Sequence, residues 1–137
     1  MVVTRSVDYA VEGILHLARL PRGTVASVEE IARERGLPSH ALGTVVRRLA
    51  RAGLVATQRG TGGGVSLLRD PSEITMRHVV EAIDGPLRLA DSSRSAAPAR
   101  AMWKRIEAAI LKELEGTTLA DLARQPTGGA SVPYTHA

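Results

Sequence analysis

The sequence predicts a mainly helical chain with one small β-hairpin. Two observations support this fold class. Apolar residues recur at helical spacing in successive segments, and a glycine-rich run separates two short β-prone segments. The 137 residues suit one domain, or one domain with an oligomerisation arm. Because Phe is absent and only one Trp and two Tyr occur, we expect an aliphatic core.

Two helices are expected in the first 36 residues. The first covers residues 7–20, where apolar residues follow one helical face, and Pro21 and Gly23 end it. The second opens at Ser27 with a capping box, in which the Ser27 oxygen and the Glu30 carboxylate satisfy free N–H groups at the helix start. Gly36 ends this second helix.

A third helix follows after a tight turn. It begins at Pro38, with Ser39 as its expected N-cap. One side is an apolar stripe. The other side carries short side chains first and cations later, namely Ser39, His40, Gly43, Thr44, Arg47, Arg48 and Arg51. Two short helices in this order are typical of a helix-turn-helix, whose second helix meets base edges in the major groove while flanking cations meet phosphates.

A β-hairpin is expected directly after this motif. Two β-prone segments, residues 54–58 and 65–68, flank the run from Arg59 to Gly64. Arg59 is the side chain best suited to a narrow minor groove. Backbone N–H groups at the tip are expected to face phosphates, and they belong to Gly60, Thr61, Gly62 and Gly63. The pattern therefore predicts a winged helix-turn-helix domain over residues 1–86.

The second half of the chain predicts a fourth helix from Thr75 to Gly85, a flexible loop over residues 87–98 and a long helix beginning near residue 99. A short terminal helix completes residues 99–124, and the tail 125–137 is expected to be disordered. The long helix must bury its apolar side, and the expected partner is a second copy. The dimerisation residues would be Met102, Trp103, Ile106, Ile110 and Leu114. Packing of this helix on the first helix of either subunit is equally compatible.

The charge distribution favours double-stranded DNA as the partner. Residues 36–69 contain five Arg and no Asp or Glu, and the whole positive excess lies in residues 1–70. No apolar run suits a membrane span and no leader precedes the first helix, so the cytoplasm is the expected location. No nucleophile–base pairing or Walker glycine loop is present, so an enzyme is not expected.

Other interpretations carry less weight. A winged-helix module that binds proteins and not DNA is the alternative, and the acid-free segment argues against it. Asp8, Glu12 and His16 lie four residues apart and are the remaining candidate metal ligands, although an exposed, solvated helix face is the favoured interpretation. The chain has no Cys, which excludes a cysteine-ligated metal site. His78 is interpreted as a surface residue.

These residues resemble the IscR/NsrR-type winged-helix regulators of the Rrf2 family. The similarity is most specific in the wing, Arg59 to Gly64, and includes Trp103 and residues 118–122. It implies a homodimeric, sequence-specific transcription regulator, usually a repressor, whose affinity for a pseudo-palindromic operator responds to a stimulus. Many members bind an iron–sulfur cluster through cysteines in the loop matching residues 89–100. Since this chain has none, it is either a cluster-free member or a chain whose cysteines were replaced, and natural loss is favoured.

Overall fold

The computed structural model describes residues 4–89 and 96–126. Within them the chain forms a mainly helical fold with one antiparallel hairpin, which confirms the predicted fold class. The helices are α1 (Arg5–Ala18), α2 (Val28–Arg35), α3 (Ser39–Arg51), α4 (Met76–Asp84), α5 (Ala97–Gly116) and α6 (Leu119–Arg124). The strands are β1 (Val55–Gln58) and β2 (Gly64–Leu67), and a 3-10 turn covers Pro71–Glu73.

One aliphatic core holds the first four helices, the hairpin and α6 together. Ile14 of α1, Leu42 of α3 and Leu119 of α6 have no exposed surface. Burial of an aliphatic side chain of this size contributes about 1.5–3 kcal/mol, so a core without Phe still stabilises a domain of this size. The aliphatic core expected from the composition is confirmed.

Polar residues at the helix starts explain where several helices begin. Thr4 caps α1, since its Oγ1 accepts from the Val7 N–H group at 3.2 Å, and α1 therefore begins before the predicted residue 7. Ser27 Oγ accepts from the Glu30 N–H group at 3.1 Å, which is the serine half of the predicted capping box. Ser39 was the wrong N-cap: Pro38 holds that position in an extended conformation, and Ser39 is the first helical residue.

The chain returns to the core after α5. The Met76 N–H group donates to the Thr117 carbonyl at 2.9 Å, and the Leu119 N–H group donates to the Ile74 carbonyl at 2.8 Å. These bonds start α4 and α6 side by side, and α6 then packs on α1 and the 3-10 turn. The terminal helix, grouped above with the predicted dimerisation helix, thus shares the core of residues 1–86, the predicted winged-helix domain.

The C-terminal end of α5 packs against α4. The Arg77 guanidinium group of α4 pairs with Glu81 on the same helix and with Glu115 of α5. Helix α5 begins at Ala97, two residues before the predicted start, because Pro98 is tolerated in a first helical turn. The predicted loop and tail fall partly on residues 90–95 and 127–137, which lie outside the described residues.

None of the described helices combines the length and the apolar character that a bilayer crossing requires.

Truncating Leu119 tests whether α6 is part of the core. We expect Leu119→Ala to lower the free energy of unfolding by about 2–5 kcal/mol, because it leaves a cavity beneath a side chain with no exposed surface. Leu68→Ala is the matched control, since Leu68 is 55% exposed and its loss should cost less than about 0.5 kcal/mol. Equal effects of the two changes in urea denaturation would contradict the packing described.

Candidate nucleic-acid interface

The N-terminal part of α3 presents a face of small polar side chains. Ser39 and His40 are exposed, and Thr44 is half-exposed one turn further along. Because Pro38 and not Ser39 occupies the N-cap position, the Ser39 hydroxyl is not used in capping the helix. The buried side of the same helix is the predicted apolar stripe, Leu42, Val45, Val46 and Leu49. Burial of that stripe fixes which side of α3 faces outward.

Two hydrogen bonds position Arg47, the first cation after this polar face. Thr44 Oγ1 donates to the His40 carbonyl at 3.2 Å, and Arg47 Nη2 donates to Thr44 Oγ1 at 3.2 Å. The Arg47 guanidinium group is thereby held beside Thr44 on the exposed side of α3. Three of the residues predicted to contact DNA therefore form one linked surface, with its charge at one end.

Gly43 lies in the middle of this surface and has no steric reason within the chain to be glycine. A Cβ atom built at Gly43 meets only Arg47 Nη1, at 3.8 Å, which is an ordinary van der Waals distance. Glycine inside a helix costs about 1 kcal/mol relative to Ala. The geometry therefore gives Gly43 no packing role within the chain and leaves room for the close approach of α3 to an external partner.

Arg48 and Arg51 differ from Arg47 in where they lie. Arg48 Nη1 donates to the carbonyl of Ile83 at 3.0 Å, at the C-terminal end of α4. That bond satisfies a carbonyl group that the helix itself leaves free, and it ties α3 to α4. Arg51 is exposed at the end of α3. The patterning of the sequence identified Arg48 as a cation but held no signal for its bond to α4.

The wing is joined to the start of α2 by a short backbone pairing. The Ala26 N–H group donates to the Val65 carbonyl at 2.9 Å, and the Val65 N–H group donates to the Ala26 carbonyl at 2.8 Å. Gly64 makes this approach possible, because a Cβ atom there would lie 2.3 Å from the Ala26 carbonyl oxygen. The predicted phosphate contacts at the tip did not include Gly64, and its internal role in the fold was not predicted.

The tip of the wing is exposed. Strands β1 and β2 pair from Val55–Leu67 to Gln58–Gly64, and Arg59, Gly60, Thr61 and Gly62 extend beyond them into solvent. Gly63 departs from the prediction: its N–H group donates to the Gly60 carbonyl at 2.9 Å, within the turn. Of the four predicted backbone donors at the tip, Gly63 is therefore already satisfied by the chain itself.

An open groove of about 430 Å³ separates α3 from the wing. Gly43 and Arg47 line it from α3, Arg59 and Gly60 line it from the wing, and the start of α2 closes one end. The structure thus brings together the helix face and the wing tip that the sequence singled out separately. It also brings in Glu29 at the start of α2, a carboxylate that the sequence reasoning did not place there.

The apolar side of α5 is partly exposed. Met102, Trp103 and Ile106 are each between 38% and 39% exposed, and Ile110 is half-buried. Leu114 is different, because it packs against the core of its own chain. Of the five predicted dimerisation residues, Leu114 therefore contributes to the attachment of α5 to the domain.

The sequence profile of the Rrf2 family, described as an iron-dependent transcriptional regulator, matches residues 3–125. This chain belongs to the Rrf2 family. The HTH-type transcriptional regulator Rv1287 of Mycobacterium tuberculosis is 34% identical over an alignment of 139 residues, which covers 95% of this chain and 83% of the relative. The HTH-type regulator CymR of Bacillus subtilis is 32% identical, with coverage of 93% of this chain and 94% of CymR.

Solved structures agree with this assignment. The structure of B. subtilis CymR, described as the global cysteine regulator, superposes with a TM-score of 0.77 at 30% identity and covers 90% of this chain and 96% of that chain. The IscR of T. potens superposes with a TM-score of 0.76 at 26% identity and covers 93% of this chain and 94% of that chain. The Rrf2 chain is accordingly a DNA-binding transcriptional regulator of helix-turn-helix fold, and the family and its relatives are regulators and not enzymes.

The residues of this Rrf2 regulator do not fit the cysteine-ligated iron–sulfur cluster that the family resemblance implied, because the chain contains no Cys. No group of three or more His, Asp or Glu side chains arranged to hold a metal ion occurs in residues 4–89 and 96–126. Within the stripe of candidate ligands, Asp8 and Glu12 are half-exposed. The third member, His16, was expected to be exposed and is not.

His16 is only 6% exposed and lies between α1 and α2. Arg35 Nε donates to His16 Nδ1 at 3.0 Å, so the proton of the neutral imidazole resides on Nε2, which lies 3.4 Å from a Glu34 carboxylate oxygen. Burial, followed by the positive charge of Arg35, lowers the pKa of His16 below its ordinary value of 6.5. Neither ring nitrogen offers a free lone pair to a metal. The interpretation of His16 as part of a solvated face was wrong, because the ring packs inside the fold.

The pH dependence of stability tests this environment. The unfolded chain binds a proton near pH 6.5, whereas the folded chain resists protonation of His16 until a lower pH. The contribution of His16 to the free energy of unfolding is therefore complete above pH 6.5. It declines as the pH falls from 6.5 toward the lowered pKa of His16 in the folded state. We expect His16→Gln to flatten this part of the curve of unfolding free energy against pH. His40→Gln, at an exposed ring, is the control, and an unchanged slope in His16→Gln would refute the assignment.

Proposed function

We propose that this Rrf2 regulator is a homodimeric repressor that binds a pseudo-palindromic operator. Each subunit inserts the N-terminal part of α3 into the major groove and lays the wing tip along the neighbouring minor groove. The observation that carries the proposal is the common groove between α3 and the wing, which Arg47 lines from one side and Arg59 from the other. A DNA backbone seated there meets cations on both walls.

Sequence is read by the small residues of α3 in this proposal. Ser39, His40 and Thr44 carry hydroxyl and imidazole groups that donate or accept, as base edges require. Gly43 removes side-chain bulk between them, so the helix axis approaches the bases more closely. Arg47 neutralises phosphate and fixes the register of the helix on the duplex.

The wing contributes affinity more than sequence readout. Arg59 is exposed at the tip and enters the minor groove, where the negative potential is strongest when the groove is narrow. The N–H groups of Gly60, Thr61 and Gly62 face phosphates. Arg48 contributes by holding α3 against α4 through its bond to the Ile83 carbonyl, and its remaining N–H groups are available to a phosphate.

Dimerisation supplies the second half-site. An apolar row on α5, in which Met102 and Ile106 are exposed and Ile110 is half-buried, offers a surface that antiparallel pairing with a second α5 would bury. Two-fold symmetry then presents two α3 helices about one turn of DNA apart, which requires a pseudo-palindromic operator. Occupancy of such a site blocks the polymerase without further chemistry, so repression is the proposed output.

The proposal also covers the cellular location and the cofactor state of the protein. We propose that the protein acts in the cytoplasm, where the DNA of its bacterial relatives lies. We also propose that it works without an iron–sulfur cluster, since no thiolate is present to ligate one.

Removing the charge of Arg59 tests the contribution of the wing. We expect Arg59→Ala to weaken binding to an operator selected from random duplexes by about 1–3 kcal/mol, and to reduce the slope of log affinity against log salt by about one ion per subunit. Arg124→Ala removes the same charge from α6 and should leave both quantities unchanged. Fluorescence anisotropy at several salt concentrations measures both. Wild-type affinity and slope in Arg59→Ala would remove the wing from the interface.

A charge on the apolar side of α5 tests the dimer. We expect Ile106→Asp to produce a monomer in analytical ultracentrifugation, because two carboxylates would be buried without partners at a two-fold interface. Leu68→Asp places the same charge on an exposed leucine outside α5 and should leave the dimer intact. A wild-type protein that is monomeric at micromolar concentration, or a dimeric Ile106→Asp variant, would contradict the proposed interface.

A further inference from the structure

A second groove lies between α5 and the segment that follows α4, residues 86–88. Its volume is about 550 Å³, within the range of about 300–1,000 Å³ typical of small-molecule sites. Leu87 lines one side, and Trp103 and Leu111 of α5 line the other. These three side chains form an apolar part of the groove, which shares no lining residue with the groove between α3 and the wing.

Charged residues line the rest of the groove, and most of them are cations. Arg77, Arg88 and Lys104 line the groove together with a single carboxylate, Glu107. Arg77 is already paired with Glu81 and Glu115, and these bonds raise the pKa of its guanidinium group. Arg88 and Lys104 are exposed and have no ion-pair partner among residues 4–89 and 96–126. The groove therefore has cationic capacity that the described chain does not use.

The groove and the proposed dimer contact use different rows of α5. Positions four apart lie above one another on a helix, so Trp103, Glu107 and Leu111 form one row, which faces the groove. Met102, Ile106 and Ile110 form the neighbouring row. Pairing of two α5 helices through that second row leaves the groove open, with Trp103 at the border between the two surfaces.

We propose that this groove binds a small aromatic monocarboxylate. The Arg88 guanidinium group and the Lys104 ammonium group would hold the carboxylate, and the aromatic body would stack on the Trp103 ring between Leu87 and Leu111. The negative charge of Glu107 offsets one of the two positive charges of Arg88 and Lys104. The net charge of these three residues is therefore +1, which matches a monoanion. The bound ligand spans the segment after α4 and the face of α5, so it fixes the angle between the dimerisation helix and the DNA-binding domain.

The single Trp of the chain makes the site directly observable. Full-length protein is titrated, without DNA, with benzoate, phenylacetate and 3-phenylpropionate, and with the matching primary amides, while Trp103 fluorescence is followed. We expect a saturable change with at least one acid and affinity about tenfold lower for its amide, because the amide loses the charge-assisted hydrogen bonds. No saturable change with any acid, or equal response to acids and amides, would overturn the proposal.

Charge variants then locate the site and separate binding from structure. Arg88→Gln and Lys104→Gln should each weaken the acid by about two- to fivefold, whereas Glu107→Gln should strengthen it by a similar factor. Lys112→Gln, on α5 outside the groove, is the matched control and should change nothing. Weakening in all four variants would overturn the proposal. The proposal would also be overturned if Trp103 fluorescence changed with protein concentration but not on addition of the acids, because the groove would then be occupied by a second copy of the chain. Since no DNA is used, the result is independent of the operator assays, although the ligand's role as effector rests on the proposed regulatory function.

Discussion

The wing's position depends on one backbone pairing, between Ala26 and Val65. Two hydrogen bonds of 2.9 Å and 2.8 Å hold β2 against the residue before the α2 N-cap, and only glycine at position 64 permits the approach. Because Ser27 starts α2 immediately afterwards, the pairing fixes the wing relative to the helix-turn-helix. A hairpin of two short strands is marginal alone, and this pairing, together with the burial of Val55 and Val65 in the core, anchors it to the domain. The groove between α3 and the wing is a consequence of that constraint.

Helix α5, the proposed dimerisation helix, is connected to α3, the proposed recognition helix, through α4. Arg77 and Glu115 join α4 to α5, and Arg48 of α3 donates to the C-terminal carbonyl of Ile83 in α4. Each bond joins rigid elements across a helix end or a packed face, so displacement of α5 would be carried toward α3. The cationic groove beside Trp103 lies where α5 meets the segment after α4. A ligand bound there, as proposed above, would act on this connection between α5 and α3.

Much of the fold was predictable because it depends on local periodicity and caps. The apolar stripe of α3, the stop at Gly36 and the glycine-rich turn are read within a few residues of sequence. The remaining features depend on contacts between distant residues. His16 looked exposed because its helical face carries Asp8 and Glu12, and only the packing of α2 shows it buried beside Arg35. Likewise, the bond from Arg48 to α4, the satisfied N–H group of Gly63 and the return of Leu119 to the core have no local signal. The candidate DNA-contact residues could be chosen by type, but their common groove required the structure.

We propose that α3 and the wing form one DNA-binding surface, and that a homodimer presents this surface twice. Hydroxyl-radical footprinting on a duplex selected by the protein from a random pool tests it most directly, because the radical reports backbone protection at each nucleotide. We expect two protected patches on each two-fold-symmetric site, about one helical turn apart on one face of the duplex, and protection that extends into the minor groove beside each half-site. A single uninterrupted patch would contradict the proposed dimer. Backbone sugars that stay fully reactive along the minor groove beside each half-site would contradict the proposed role of the wing.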